Sequence, residues 1–210
     1  MPGVNAFSEN VNRYEAWFQD HPLAYVSELH AIKALLPKGR GVEIGIGTGR
    51  FAAPLGIAQG VEPSRPMADL ARKKGLEVVH GVAEHLPYAD SEFDFCLMVT
   101  TVCFLDDMDM SFNEAFRIIR PGGALLVAFV DRESALGREY AERKDGSVFY
   151  KDATFYSTNE IISRMTRAGF SEFARCQTLF GPLDDLAEVE QVKEGSGEGS
   201  FVVVRGSRPQ

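Results

Sequence analysis

One stretch constrains this chain more than any other: VEIGIGTGR, Val42 to Arg50. A short apolar run ends in glycines at alternate positions, Gly45, Gly47 and Gly49. RFAAPL follows, so the stretch reads as strand, tight loop and brief helix. In an open parallel sheet such a loop lies beyond the carboxyl end of its strand, where ligands bind. The dinucleotide fingerprint G-x-G-x-x-G could begin at Gly45 and Gly47, but its third glycine would fall at position 50, and Arg50 stands there. The loop of nucleoside triphosphatases ends in G-K-S or G-K-T, which is absent.

Two carboxylates narrow the choice. Glu43, two residues before Gly45, is a poor neighbour for a pyrophosphate and a good one for a cation. Glu62 ends a second strand, Gln59 to Glu62, where an acidic side chain can accept ribose hydroxyls. Nicotinamide enzymes share that acid, so Glu62 alone does not discriminate. Together the set asks for an adenosine ligand with positive charge and no phosphate. S-adenosylmethionine is such a ligand.

The rest of the chain alternates strands with helices. Helix-spaced apolar residues run over Val11 to Phe18 and Leu23 to Leu36, with Leu29, Ile32, Leu35 and Leu36 on one face. Ser64 is placed to cap a helix to Lys74. LEVVHG and FDFCLMV, the latter Phe93 to Val99, read as strands, the second buried on both faces. Met110 to Ile119 is amphipathic, RPGG ends it, and Ala124 to Val130 is a further buried strand. Ser134 to Lys144 reads as helix, and Ser157 with Glu160 forms a capping box for another. SEFARCQTL and SFVVVRG read as late strands, separated by KEGSGEGS, Lys193 to Ser200, a flexible acidic loop. This alternation predicts a three-layer α/β/α sandwich with a largely parallel sheet.

Composition sets further bounds. The 210 residues fit one domain, 1–210, in which 1–36 would form an N-terminal helical cap. A formal charge of -8 argues against a nucleic-acid or anionic-membrane surface. Cys96, Cys103 and Cys176 form no C-x-x-C and read as buried free thiols in a reducing compartment. The N-terminus lacks a signal-peptide pattern and no apolar run is long enough to span a membrane. The expectation is a cytoplasmic protein; a homodimer is left open.

With these residues in order, the chain resembles the class I S-adenosylmethionine-dependent methyltransferases of the small-molecule group called methyltransferase type 11. The resemblance spans Tyr14 to Arg205. VEIGIGTGR is similar to the family's first motif and VEPS, Val61 to Ser64, to its second-strand motif. Gly81 to Val99 resembles the third and fourth, and IIRPGGALLV the fifth strand and the turn before it. The resemblance implies a Rossmann-like seven-stranded sheet of order 3-2-1-4-5-7-6 with strand 7 antiparallel. It implies that Glu43 and the loop Gly45, Ile46, Gly47 and Gly49 surround the methionine part of S-adenosylmethionine. Glu62, with Pro63, would hold the ribose. Ala83 and Glu84 would lie beside the adenine, and Thr100 would approach the methionine or the acceptor.

Methyl transfer from a sulfonium needs alignment more than acid–base help, so a general base is required only for a protonated nucleophile. Tyr14 and His21, on or between the first helices, and Asp131, at the end of the fifth strand, are the candidates for approaching an acceptor. For each a cap, hinge or salt-link role competes. The aromatic segment Tyr140 to Tyr156 can line an acceptor pocket or simply be core. No H-E-x-x-H, cysteine cluster or close histidine pair suggests a metal. The run DDMD, Asp106 to Asp109, reads as helix capping. A small-molecule methyl acceptor is expected, against a non-catalytic S-adenosylmethionine-binding or scaffold protein of the same fold. A nicotinamide oxidoreductase and a nucleic-acid methyltransferase are disfavoured, the second also because TTVCF stands where amino-methylating relatives carry N-P-P-Y.

Overall fold

Residues 2–210 are described in the computed structural model, with side chains described from residue 4; Met1, which opens the expected domain, lies outside them. The chain begins with helices α1 (Pro2–Glu9), α2 (Val11–Asp20) and α3 (Pro22–Leu35). Then come β1 (Gly41–Ile44), α4 (Ala52–Leu55), β2 (Gln59–Val61), α5 (Arg65–Lys73), β3 (Glu77–Val79) and β4 (Phe93–Val99). The second half holds α6 (Met108–Ile118), β5 (Ile119–Val130), α7 (Ala135–Arg143) and α8 (Thr158–Arg167). It closes with β6 (Ser171–Thr178), β7 (Lys193–Glu194) and β8 (Phe201–Ser207).

The strands form one sheet in the order β3-β2-β1-β4-β5-β8-β6-β7. β1, β2, β3, β4 and β5 pair parallel, and β8 lies antiparallel between β5 and β6. Phe95, Cys96, Leu97 and Met98 of β4 are all buried, as are Leu125 to Phe129 of β5. Such runs suit central strands covered by helices on both faces. Alternate residues feed two apolar clusters, one on each face of the sheet.

Relative to the expected sheet there is one strand more. The added strand is β7, which lies within the stretch read as a loop and pairs antiparallel with Cys176 and Gln177. It is an edge strand of two residues, so its charged side chains stay in solvent and leave no apolar signature. β5 also starts five residues earlier than Ala124. RPGG does end the preceding helix, but the chain continues extended through it, and the pairing with β4 shifts between Phe93 and Phe95.

Capping follows the sequence in part. Asp107 accepts from the Met110 N–H at 2.9 Å, and Ser157 with Glu160 forms the capping box of α8. Ser64 precedes α5 but makes no cap bond; its Oγ lies 2.8 Å from Ser8 Oγ, tying α1 to α5. α3 is an outer-layer helix against β6 and β8, whereas α1 and α2 lie over the carboxyl ends of the parallel strands. No described helix is long and apolar enough to cross a membrane.

Candidate active site

The glycine loop turns back sharply after β1. Gly45, Gly47 and Gly49 all have positive φ, at 74°, 55° and 78°. Gly45 is also sterically required, because a Cβ there would lie 2.6 Å from Thr101 Oγ1. At Gly47 the nearest atoms to such a Cβ, on Met67 and Tyr14, are 3.5 Å away, so the loop leaves an open cradle. The Gly45 and Ile46 N–H groups donate to the Val61 carbonyl, which ties the loop to β2. Thr100, after β4, also has positive φ (49°) and lines the same space. Backbone strain of this kind is often held at functional sites.

Glu62 braces the loop. Its Oε2 accepts from the Gly47 N–H at 2.9 Å and its Oε1 from the Ser64 N–H at 2.8 Å. Burial raises its carboxyl above the ordinary range, and these two bonds only partly counter that. Glu43 is buried within β1, and its Oε2 finds no partner among the described residues. Burial pushes the Glu43 carboxyl well up. The Tyr14 hydroxyl is raised too, by burial first and then by the charges of Glu43 and Glu62.

These elements enclose a cavity of about 750 Å³, within the range of small-ligand pockets. Among the residues singled out from sequence, Tyr14, Gly45, Gly47, Glu62, Pro63, Ala83 and Thr100 line it. Others are spent elsewhere. Ile46 is buried in the core, and Gly49 packs so closely on Leu76 that a Cβ would meet it at 2.3 Å. Glu84 accepts from the Asp106 and Asp107 N–H groups before α6. His21 ends α2 and rests on Trp17, with ring centroids 5.2 Å apart. Asp131 accepts from the Glu133 and Thr158 N–H groups and the Thr158 hydroxyl, joining β5 to the start of α8. His21, Asp131, Glu43 and Glu84 are not among the cavity's walls.

Much of the cavity wall is aromatic. Phe7, Tyr14, Trp17, Phe18, Phe149 and Tyr150 line it from α1, α2 and the segment after α7. Phe7 stacks on Phe149 at 5.0 Å and Tyr140 on Tyr150 at 5.0 Å. Glu28, a buried carboxylate of α3 outside the motifs above, also lines the cavity. The available signal was a glutamate four residues from both Ala24 and Ile32, on a face of α3 that is otherwise small or apolar.

The glycine loop is clamped from above. Glu15 of α2 accepts from Arg50 Nη2 at 2.5 Å, Arg50 Nε at 3.1 Å and the Thr48 hydroxyl. Arg50, at the position of the dinucleotide fingerprint's last glycine, is therefore turned to a carboxylate of α2. The donor set fits an adenosyl sulfonium: an open glycine cradle, a carboxylate beside it, and the loop's one arginine already paired.

Residues 42–127 match the family described as Methyltransferase domain. An uncharacterized protein of Methanocaldococcus jannaschii is 43% identical over 96% of this chain and 98% of its own length. A Thermotoga maritima structure, described as a SAM-dependent methyltransferase and possible histamine N-methyltransferase, is 57% identical. It covers 98% of this chain and 99% of its own, with a TM-score of 0.97. Haemonchus contortus phosphoethanolamine N-methyltransferase 2, solved with S-adenosyl-L-methionine, shares the fold at 15% identity and a TM-score of 0.62, over 87% of this chain and 52% of its own.

Proposed function

The chain belongs to the methyltransferase-domain family and is an S-adenosylmethionine-dependent methyltransferase, and from that premise we propose that it methylates a small molecule held in the same cavity. One observation carries the proposal. Gly45 and Gly47 line the same cavity as Trp17, Tyr140 and Phe149. A cavity of that size accommodates a cofactor and a compact acceptor together. The description of the Thermotoga maritima protein as a possible histamine N-methyltransferase supports a small acceptor as well.

S-adenosylmethionine, when bound, supplies a methyl group on a positively charged sulfur that departs as a neutral thioether. The protein's share is to align and to exclude water. The Gly45–Gly47 backbone and the Glu62 brace form the cofactor wall. Ala83 and Pro63 flank the same end. α1 and α2 cover it, held by Glu15 and by the Ser8–Ser64 contact. The Tyr14 hydroxyl, raised by burial, stays protonated at neutral pH and serves as a hydrogen-bond donor rather than a base. Net charge of -8 supports a partner that is not nucleic acid.

The test is transfer of label from methyl-labelled S-adenosylmethionine, with small molecules, protein and nucleic acid offered in parallel and separated by size. Label in the small-molecule fraction is expected. Label confined to macromolecules would overturn the proposal.

A further inference from the structure

Glu28 sits on the buried face of α3 with Ala24, Ala31 and Ile32. Its residue is 5% exposed, it lines the cavity, and among the described residues it has no hydrogen-bond or ion-pair partner. Four tyrosines feel its charge. Its charge acts on Tyr14 of α2, Tyr25 of its own helix, Tyr140 of α7 and Tyr150 beyond it. All four hydroxyls are raised, burial being the largest cause in each, so none carries charge at neutral pH to oppose or pair with Glu28. An unanswered carboxyl in such a place costs stability. Tyr14, Tyr140 and Tyr150 line the same cavity as Glu28, and aromatic rings sharing a cavity with a carboxylate suit a small organic cation.

We infer that Glu28 is the acceptor-holding carboxylate and that the acceptor is a small basic amine whose ammonium group pairs with it. The inference rests on the small-molecule reading above and deepens it. The same pairing prepares the nitrogen. The ammonium gives one proton to the Glu28 carboxylate, which frees the nitrogen lone pair. That pair forms the nitrogen–methyl bond as the methyl–sulfur bond breaks and leaves its electrons on sulfur. A methylated ammonium results, and the proton on Glu28 passes to solvent. Burial raises the Glu28 carboxyl to about 8, which brings it closer to an amine than an exposed carboxylate would be.

Calorimetry on protein loaded with S-adenosylhomocysteine tests this, with 2-phenylethylamine and cyclohexylmethylamine set against their matched alcohols. The amines are expected to bind about tenfold or more tightly than the alcohols, as a buried charged hydrogen bond implies. Glu28→Gln should remove that preference and leave the affinity for S-adenosylhomocysteine unchanged. Equal binding of amine and alcohol, no binding of either amine, or a Glu28→Gln variant that keeps the preference overturns the inference. The comparison of ligands on the wild-type protein decides the matter even where the variant does not fold. Label transfer to an alcohol or thiol but to no amine sinks the role of Glu28 and leaves the small-molecule reading standing. Label found only in macromolecules sinks both.

Discussion

Arg50 Nη2 lies 2.5 Å from Glu15 Oε2, joining the end of the glycine loop to the helix that covers it. Glu15 also accepts from the Thr48 hydroxyl, while the Tyr25 hydroxyl donates to the Arg50 carbonyl at 2.5 Å. One carboxylate thus couples cover and loop. Replacing it by alanine leaves Arg50 and Thr48 without their partner, at a cost of about 1–3 kcal/mol. Glu15→Ala should raise the KM for S-adenosylmethionine by about tenfold or more, because binding must then order the loop against its cover. Steady-state kinetics at saturating acceptor checks it; an unchanged KM counts against the clamp.

The same carboxylate predicts an acid dependence. Burial opposes ionisation of Glu15, but hydrogen bonds from Arg50 and Thr48 outweigh it, and its carboxyl lies below the ordinary 4.5. A group lowered in the folded state contributes stability above its unfolded value and loses it as pH falls through the folded one. The melting temperature of wild type should exceed that of Glu15→Gln at neutral pH. The gap should close on acidification below about 4.5. Thermal denaturation across pH measures it, and a gap that widens in acid refutes the assignment.

Gly45 and Gly47 should fail in different ways. Alanine at Gly45 meets Thr101 and adopts an unfavourable φ, so Gly45→Ala should lower stability by about 1–3 kcal/mol. At Gly47 the space is open and faces the cavity. Gly47→Ala should therefore cost less stability and weaken cofactor binding more. Melting curves paired with calorimetric titration of S-adenosylmethionine separate the two; equal loss of stability in both variants would contradict the geometry.

Glu62→Ala removes an acceptor from the Gly47 and Ser64 N–H groups and a carboxylate from the cavity wall. S-adenosylmethionine affinity should fall by about tenfold to a hundredfold. Calorimetry decides, and an unchanged affinity removes Glu62 from the cofactor site.

Much of this site was legible because its signals are local. The three glycines mark a backbone that needs positive φ, and Glu62 follows an apolar strand directly. The buried strands β4 and β5 show as near-continuous apolar runs. Glu84, which only the family resemblance set beside the adenine, and Asp131, at the end of the fifth strand, satisfy N–H groups ahead of α6 and α8. Glu28 was hidden by its neighbours. Of the apolar residues at 29, 32, 35 and 36 only Ile32 is fully buried, and the rest of the buried face uses Ala24, Ser27 and Ala31. Small residues let a helix approach the sheet without leaving an apolar stripe. Arg50 was legible as a missing glycine, but its partner Glu15 lies 35 residues away and appears only in the fold.

Glu28 predicts a dependence of opposite sign. A carboxyl raised by burial from 4.5 to about 8 contributes stability that is full below the unfolded value and lost as pH rises through the folded one. Glu28→Gln should change the melting temperature little near pH 5 and raise it above wild type near pH 9, by about a few degrees. Differential scanning across that range checks it; a variant whose advantage shrinks with pH would show that Glu28 is not the buried acid described above.

The central claim is that one cavity brings cofactor and small acceptor together for transfer. A single-turnover mixture of the protein, methyl-labelled S-adenosylmethionine and 2-phenylethylamine tests it most directly. The account predicts S-adenosylhomocysteine and N-methylated amine formed in equal amounts. Cofactor that stays bound and intact, with no methylated amine or other small-molecule product across a wider acceptor panel, would contradict it and favour a protein that binds S-adenosylmethionine without turnover.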